Sequence, residues 1–356
     1  MNARQRVRAA LEHREPDRTP FFEYVLLSPV ADALLGRRYT ADPAHWPALV
    51  AEMGWEEAVN RNATDRLDLA LFLGHDLLYA TPNPPPPAAP TAPAPQEPLP
   101  EDPVERLRMR NAQAAQQPPP TDETLVVYLR LSELMAERDV DLPILAPAYA
   151  HGVWTDIDLM QTMLLAPEVA AEHFALATRR SLDRIERYLT MGIELVGVGG
   201  DFSGTRPLIS PAAYRHFIVP QVRALSRRLH AAGAFAVNAS DGDLWPVIED
   251  FLCGCEVDGY LEIDRYAGMD LRRLKAAYGG KVCLFGNLDC GNALSFGTPE
   301  SIRQDTLDCL EAGRGKGGHV LCASNAITAS VPLPNYLAVV HAYREWCGLP
   351  ALTLGR

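Results

Sequence analysis

Acidic and amide side chains follow the predicted strands of this chain, at the points where the strands end. Asp201, Asp241 and Glu262 are carboxylates near three strand ends, and two amides lie near strand ends as well, Asn238 after the same strand as Asp241 and Asn325 after the last strand. Acid–base chemistry needs groups that gain or lose a proton beside groups that hold the substrate. We therefore predict that these five are catalytic. The substrate-binding residues predicted beside them are Glu23, Tyr149, His151, Ser240, Asn287 and Asp289.

This predicted site is rich in hydrogen-bond acceptors and short of cations. Such a pocket suits a polar or cationic ligand, or a hard metal ion. Each residue is also of a type that is common in ordinary turns, so its role depends on where the fold places it. Cys290 follows a strand as well, and could act as a nucleophile only with a base, for which His151 is the nearest candidate.

Alternating strand and helix patterns predict the elements that hold these residues. Five strand–helix units fill the C-terminal half, with helices predicted to begin at Ser210-Pro211 and at Asp243 among them, and three more strands are predicted upstream. The predicted strands are 19–25, 76–80, 142–149, 193–199, 234–237, 259–263, 281–285 and 318–322. Eight such units predict a (β/α)8 TIM barrel, whose active site lies at the carboxyl ends of the strands. An open, doubly wound sheet is the alternative.

We predict one domain over residues 1–356, with a proline-rich insertion at 82–120. The runs Asn83-Pro84-Pro85-Pro86-Pro87 and Gln117-Pro118-Pro119-Pro120 favour extended backbone and lack donors for a sheet. A short helix is predicted between them, near 103–115. The simplest interpretation is an exposed excursion between barrel units; a lid over the site and an arm for oligomerisation are the alternatives.

Charge and composition exclude several classes of partner. A formal net charge of −12 disfavours nucleic acid, which requires clustered Lys and Arg. The sequence has no apolar run long enough to span a membrane. Seven cysteines without a secretory signal indicate reduced thiols and a cytoplasmic enzyme.

Several motifs together resemble the uroporphyrinogen decarboxylase superfamily, which also contains the cobamide-dependent methyltransferases. The resemblance begins at Glu15-Pro16-Asp17-Arg18-Thr19-Pro20, which is similar to the opening of the methyltransferase-like branch. It continues through Val153-Trp154-Thr155, Ile209-Ser210-Pro211, Ser240-Asp241-Gly242-Asp243 and Phe285-Gly286-Asn287-Leu288-Asp289. It implies a TIM barrel and a homodimer.

The chain departs from both well-defined branches of that superfamily. The arginine-rich N-terminal segment of the decarboxylases is replaced by Phe22-Glu23-Tyr24-Val25-Leu26-Leu27, and their late histidine falls on Asn325. Asp76 is a possible match for their aspartate. The His-X-Cys zinc motif of the methyltransferases becomes Asn238-Ala239-Ser240, and their later Cys also falls on Asn325. Amides and a hydroxyl are poor zinc ligands, so we expect no zinc and predict no metal ligands.

The resemblance implies transfer of a methyl group between a small methylated compound and a corrinoid (cobalamin) carried on a partner protein, without the usual zinc motif. Decarboxylation of uroporphyrinogen or another carboxylic acid, a lyase reaction, is the alternative. Another reaction in the same barrel and a catalytically silent binding protein are further alternatives.

Overall fold

Seven parallel strands form one sheet in the computed structural model, which describes residues 1–87, 99–118 and 121–353. The strands lie side by side in chain order. They are β1 (Leu78–Tyr79), β2 (Ile144–Pro147), β3 (Leu195–Gly199), β4 (Phe235–Ala239), β5 (Gly259–Leu261), β6 (Cys283–Phe285) and β7 (His319–Val320). Seven of the eight predicted strands are thus present. A doubly wound sheet would reverse its strand order at a switch point, so this order excludes that alternative.

The predicted strand at 19–25 is reduced to a short bridge that links the two edges of the sheet. Phe21 pairs in parallel with Leu321, and the Phe22 N–H donates to the Leu321 carbonyl at 3.2 Å. On its other side, the Phe21 carbonyl accepts from the Asp76 N–H at 2.7 Å. Pro20 has no N–H to extend the ladder. The sheet is therefore curled and the fold is TIM-barrel-like.

Helices connect the strands and cover the outside of the sheet. They are α1 (Ala3–Leu11), α2 (Val30–Leu35), α3 (Trp46–Met53), α4 (Trp55–Leu73), α5 (Pro103–Gln116), α6 (Val126–Glu137), α7 (Ile157–Leu165), α8 (Pro167–Thr190), α9 (Pro211–Ala213), α10 (Val219–Ala231), α11 (Leu271–Tyr278), α12 (Ala293–Phe296), α13 (Pro299–Gly313) and α14 (Leu333–Trp346). None of the described helices is both long and apolar enough to cross a membrane.

Two predicted helices differ from the structure in detail. The helix predicted to begin at Ser210-Pro211 does begin there, but a π-helical turn (Tyr214–Ile218) joins α9 to α10. The helix predicted to begin at Asp243 begins later and includes the π-helical turn Asp250–Gly254. The Asp243 carboxylate instead accepts from the Trp245 N–H two residues on, which makes a local turn.

The inside of the curled sheet holds its own apolar cluster. Leu145, Leu195, Val237 and Phe285 point inward from four strands. Helix α1 closes the end where the strands begin: the Ala10 carbonyl accepts from the Gly318 N–H just before β7. The opposite end, where the strands finish, is therefore the end available for a site.

The predicted insertion at 82–120 is only partly within the described residues, because 88–98 and 119–120 lie outside them. Its described helix, α5, packs on α7 and α8. Arg106 pairs with Asp158 at 2.6 Å, and Arg110 pairs with Asp156 at 2.9 Å. This helix is therefore docked on the barrel rather than projecting from it.

Candidate active site

A cleft of about 440 Å³ opens where strands β3 to β7 end, and four of the predicted site residues line it. They are Asp201, Asp241, Asp289 and Asn325. Asp264, which is not among the predicted site residues, is a fourth aspartate in the lining. None of the described residues that line this cleft is a lysine or an arginine. We call it the acidic cleft.

Asp241 is held by Asn325 across the cleft. The Asn325 side-chain amide donates to a carboxylate oxygen of Asp241 at 2.8 Å. Burial raises the pKa of Asp241 to about 6, an effect that the amide opposes and that the charges of Asp201 and Asp264 increase. A carboxyl group with this pKa can exchange a proton near neutral pH.

Asp201 is held by Ser240, which is itself fully buried behind the cleft. The Ser240 hydroxyl donates to an Asp201 carboxylate oxygen at 2.7 Å, and it accepts from the Phe202 N–H at 3.4 Å. Ser240, predicted as a substrate-binding residue, thus orients a cleft carboxylate instead of lining the cleft.

Glu262 follows β5 outside the described lining of the acidic cleft, in a left-handed backbone conformation with φ of 69°. A residue other than glycine rarely adopts this conformation, and such strain is concentrated at functional sites. Burial raises the pKa of Glu262 well above its ordinary range, and the charges of Asp241 and Asp201 raise it further, while the neighbouring Tyr24 opposes the rise. Glu262 therefore keeps its proton to higher pH than an ordinary glutamate.

Three tyrosines pack on the inner cluster at this end of the sheet. The rings of Tyr24 and Tyr79 lie 4.4 Å apart between centroids. Burial raises the pKa values of Tyr24, Tyr79 and Tyr149, and the charge of Glu262 raises them further. Gly197 makes room for Tyr149, because a Cβ at position 197 would lie 2.4 Å from its Cζ atom. The tyrosines form an aromatic floor beside Glu262. Of the three, only Tyr149 is among the predicted site residues. Phe22 and Leu77 point inward, and because alternate residues of a strand share a face, they could have indicated Tyr24 and Tyr79 two positions later.

The structure does not bring Asn238, His151 and Asn287 to the acidic cleft. The Asn238 side chain turns outward and donates to the Phe251 carbonyl at 3.3 Å. His151 is buried with its Nε2 atom 2.8 Å from the Thr178 hydroxyl. The Asn287 amide donates to the Met269 carbonyl at 3.1 Å. All three side chains hold the strand ends against surrounding segments, so their positions support structural roles rather than the predicted catalytic and binding roles.

Glu23 and Asp76 also lie outside the acidic cleft. A Glu23 carboxylate oxygen accepts from the Ala323 N–H at 3.3 Å, and burial raises the pKa of Glu23 to about 8. Asp76 lies before β1, near the closed end, where it pairs with Arg6 at 2.6 Å and with Arg18 at 2.7 Å. Asp76, the possible match for the decarboxylase aspartate, therefore lies near the end of the sheet that is opposite the acidic cleft.

Neither a cysteine nucleophile nor a metal centre is assembled in the described part of the chain. Cys290 lines the acidic cleft with its sulfur 3.5 Å from the Ser324 hydroxyl, while His151 faces Thr178 instead. Burial raises the pKa of the Cys290 thiol, which disfavours the thiolate. No group of three or more His, Cys, Asp or Glu side chains within the described ranges is arranged to hold a metal ion.

Comparisons with known proteins identify the family. The family model named Uroporphyrinogen decarboxylase (URO-D) matches residues 148–346, more than half of the chain. The chain therefore belongs to the uroporphyrinogen decarboxylase family. A search of curated proteins gave no significant match. Among solved structures, a methyltransferase from Methanosarcina mazei superposes with a TM-score of 0.70 at 18% sequence identity, covering 97% of this chain and 99% of that one. At this identity the likeness shows the fold.

Proposed function

We propose that this family member is a methyltransferase that moves a methyl group between a small methylated compound and a corrinoid carried on a partner protein. The observation that carries the proposal is the acidic cleft, whose described lining contains four aspartates and no lysine or arginine. The similarity of the fold to that of a methyltransferase supports the same class of reaction.

The charge of the cleft favours a cationic or neutral methylated compound over a polyanion. Asp201 and Asp241 together can balance the charge of a methylated ammonium group. The tyrosines beside Glu262 offer aromatic faces, which attract quaternary ammonium groups and stack on methoxylated rings. A methylated amine and a methoxylated aromatic compound are therefore the two substrate classes that we propose.

Glu262 is the proposed proton donor of the reaction. When a methyl group leaves an ether oxygen or the nitrogen of a neutral tertiary amine, that atom keeps the electron pair of the broken bond and takes up a proton, whereas a quaternary nitrogen leaves as a neutral amine and needs none. Glu262, whose pKa is raised by burial, holds a proton close enough to Asp241 and Asp201 for their charges to raise that pKa further. Asp241, with a pKa of about 6, can then return a proton from solvent to the site.

The rim of the acidic cleft has groups that suit a flat, partly apolar ring. Trp154 and Tyr266 line the cleft and are 50% and 74% exposed, respectively. We propose that these two side chains contact the corrinoid of the partner protein, which supplies the cobalt ion that carries the methyl group. We propose no zinc, because neutral Asn238, Ser240 and Asn325 stand at the zinc-ligand positions implied by the resemblance.

Decarboxylation of uroporphyrinogen or another carboxylic acid is the second candidate, and the match to the URO-D family model favours it. A polycarboxylate in the acidic cleft would bring its negative charges beside aspartates without a cation from the described lining. Burying unpaired charges costs several kcal/mol each. We therefore rank this reaction second.

The proposal is tested by incubating the protein under anaerobic conditions with cob(I)alamin and, separately, with trimethylamine, tetramethylammonium and 4-methoxybenzyl alcohol. The expected result is methylcobalamin, seen by its absorbance spectrum, with at least one donor. A parallel incubation with uroporphyrinogen is expected to give no coproporphyrinogen. Coproporphyrinogen without methylcobalamin would reverse the ranking of the two candidates.

A further inference from the structure

A second cavity, of about 260 Å³, lies between residues 23–27, helix α4 and strand β1. It shares no described lining residue with the acidic cleft. Its walls are mainly apolar and include Leu26, Leu69 and Leu77. An engineered cavity of about 150 Å³ in another protein already binds benzene, so this one has room for a substituted ring. We call it the side cavity.

Arg66 is the one cation among the described residues that line the side cavity, and its hydrogen bonds all go to neutral acceptors. Its Nε donates to the Asn62 side-chain oxygen at 2.8 Å. Its two Nη atoms donate to the Tyr79 carbonyl at 3.0 Å and to the Thr81 hydroxyl at 3.1 Å. These bonds fix the guanidinium in place without neutralising its charge.

Carboxylates elsewhere do not supply the missing negative charge. Arg61, on the same helix, pairs with Asp65 at 3.2 Å, but within the described residues no Asp or Glu forms an ion pair with Arg66. Glu23 is the only acidic residue of the described cavity lining. Burial raises its pKa to about 8, so it is largely neutral at pH 7. The cavity therefore combines apolar walls with a fixed, unneutralised positive charge.

We propose that the side cavity is a second binding site, which takes a ring-sized carboxylate. The apolar ring lies against Leu69 and Leu77, and the carboxylate binds the Arg66 guanidinium, which is suited to carboxylate geometry. Tyr24 lines the side cavity and also neighbours Glu262, so the bound ring lies near Glu262. The inference concerns binding alone and does not depend on methyl transfer.

Three probes of similar size and different charge test the ligand class on the unaltered protein. Benzoate is titrated by isothermal calorimetry at pH 7, alone and after the protein is incubated with benzyl alcohol or benzylamine, so that only competition for the benzoate site is scored. We expect saturable binding of benzoate, competition by benzyl alcohol at about tenfold lower affinity, and the weakest competition by benzylamine. Benzylamine that competes with an affinity equal to that of benzoate, or no saturable benzoate binding at millimolar concentration, would overturn the inference.

Two variants then test the location. Arg66→Gln removes the charge, and we expect benzoate affinity to fall about tenfold, to that of benzyl alcohol. Ala70→Phe fills the side cavity and is expected to abolish binding of both probes. The matched control is Arg61→Gln on the same helix, which should bind benzoate normally. Circular dichroism confirms that each variant is folded. Unchanged benzoate affinity in a folded Arg66→Gln or Ala70→Phe protein would contradict the proposed site.

Discussion

The side-chain amide of Asn325 donates a 2.8 Å hydrogen bond to the carboxylate of Asp241, joining the segment after β7 to the segment after β4. The two residues are 84 positions apart in the chain. This bond stabilises the ionised form of a carboxyl group that burial otherwise drives towards protonation. The same bond therefore joins two segments that line the acidic cleft and favours the negative charge of Asp241.

Asn325→Ala is expected to raise the pKa of Asp241 further above 6, because the amide that favours the ionised carboxylate is removed. At pH 6 to 7, less of the carboxylate is ionised, so affinity for tetramethylammonium should fall roughly threefold to tenfold. The pH of half-maximal binding should move upward, as measured by calorimetry across a pH series. Asn292→Ala, which changes another cleft amide, is the control; equal pH profiles for both variants would rule out the coupling.

Glu23→Gln should change how stability depends on pH. Folding raises the pKa of Glu23 from 4.5 to about 8, so the native state binds this proton more tightly than the unfolded state. The resulting stabilisation is present below pH 4.5 and is lost as pH rises to about 8, at roughly 1.4 kcal/mol per pH unit. Urea unfolding at several pH values should therefore show a flatter profile for Glu23→Gln and greater stability than the unaltered protein at pH 8. Parallel profiles would contradict the raised pKa; Glu300→Gln, on the exposed surface, controls for the substitution.

Asn238→Ala and Ser240→Ala should affect different properties, although the two residues are close in sequence. The first should mainly lower stability and the second should mainly lower ligand affinity. Loss of the buried Asn238 amide leaves the Phe251 carbonyl without its partner and should cost about 1–3 kcal/mol of unfolding free energy. Its effect on tetramethylammonium affinity should be small. Ser240→Ala frees the Asp201 carboxylate and should weaken tetramethylammonium affinity more than Asn238→Ala does. Its loss of unfolding free energy should be the smaller of the two. Urea unfolding measures the stability effect and calorimetry measures the affinity effect. A larger affinity loss in Asn238→Ala than in Ser240→Ala would show that Asn238 takes part in binding.

Gly197→Ala should disturb the aromatic floor. The added methyl group would lie 2.4 Å from the Tyr149 ring, so the ring or the strand must move. Overpacking of this kind costs about 1–3 kcal/mol, and tetramethylammonium affinity should fall with it. Gly280→Ala is a matched control, since a Cβ at position 280 would meet no atom within 4 Å. Equal melting temperatures for the two variants would show that Tyr149 does not depend on Gly197.

The order of the strands could be predicted from the sequence because each strand is a short apolar run between polar turns. The strand predicted at 19–25 is longer than the paired segment in the structure. After Phe21 and Phe22 the chain leaves the sheet, and its next bridge is Leu26 with Ile327. Apolar residues such as Val25 and Leu26 look the same in a strand and in a buried segment outside one.

The acidic residues of the site were easier to predict than the direction of each side chain. Asp201 and Asp241 follow strands directly and reach the acidic cleft. Asn238 is still within β4, where successive side chains point to opposite faces, and its side chain points outward. Glu262 lies in a left-handed conformation that no residue pattern indicates. Long-range pairs such as Asp241 with Asn325 exist only once the sheet is curled.

The most direct test is methyl transfer to cob(I)alamin by the unaltered protein and by Glu262→Gln, measured at pH 7 with trimethylamine or 4-methoxybenzyl alcohol, whichever reacts faster, because their leaving groups take up a proton. Gln cannot donate a carboxylic proton, so we expect the rate of methylcobalamin formation to fall by about 10²-fold or more, while Glu300→Gln keeps the full rate. Equal rates in Glu262→Gln and the unaltered protein would contradict the role of Glu262. Coproporphyrinogen formation from uroporphyrinogen, with no methylcobalamin from any donor, would contradict methyl transfer itself.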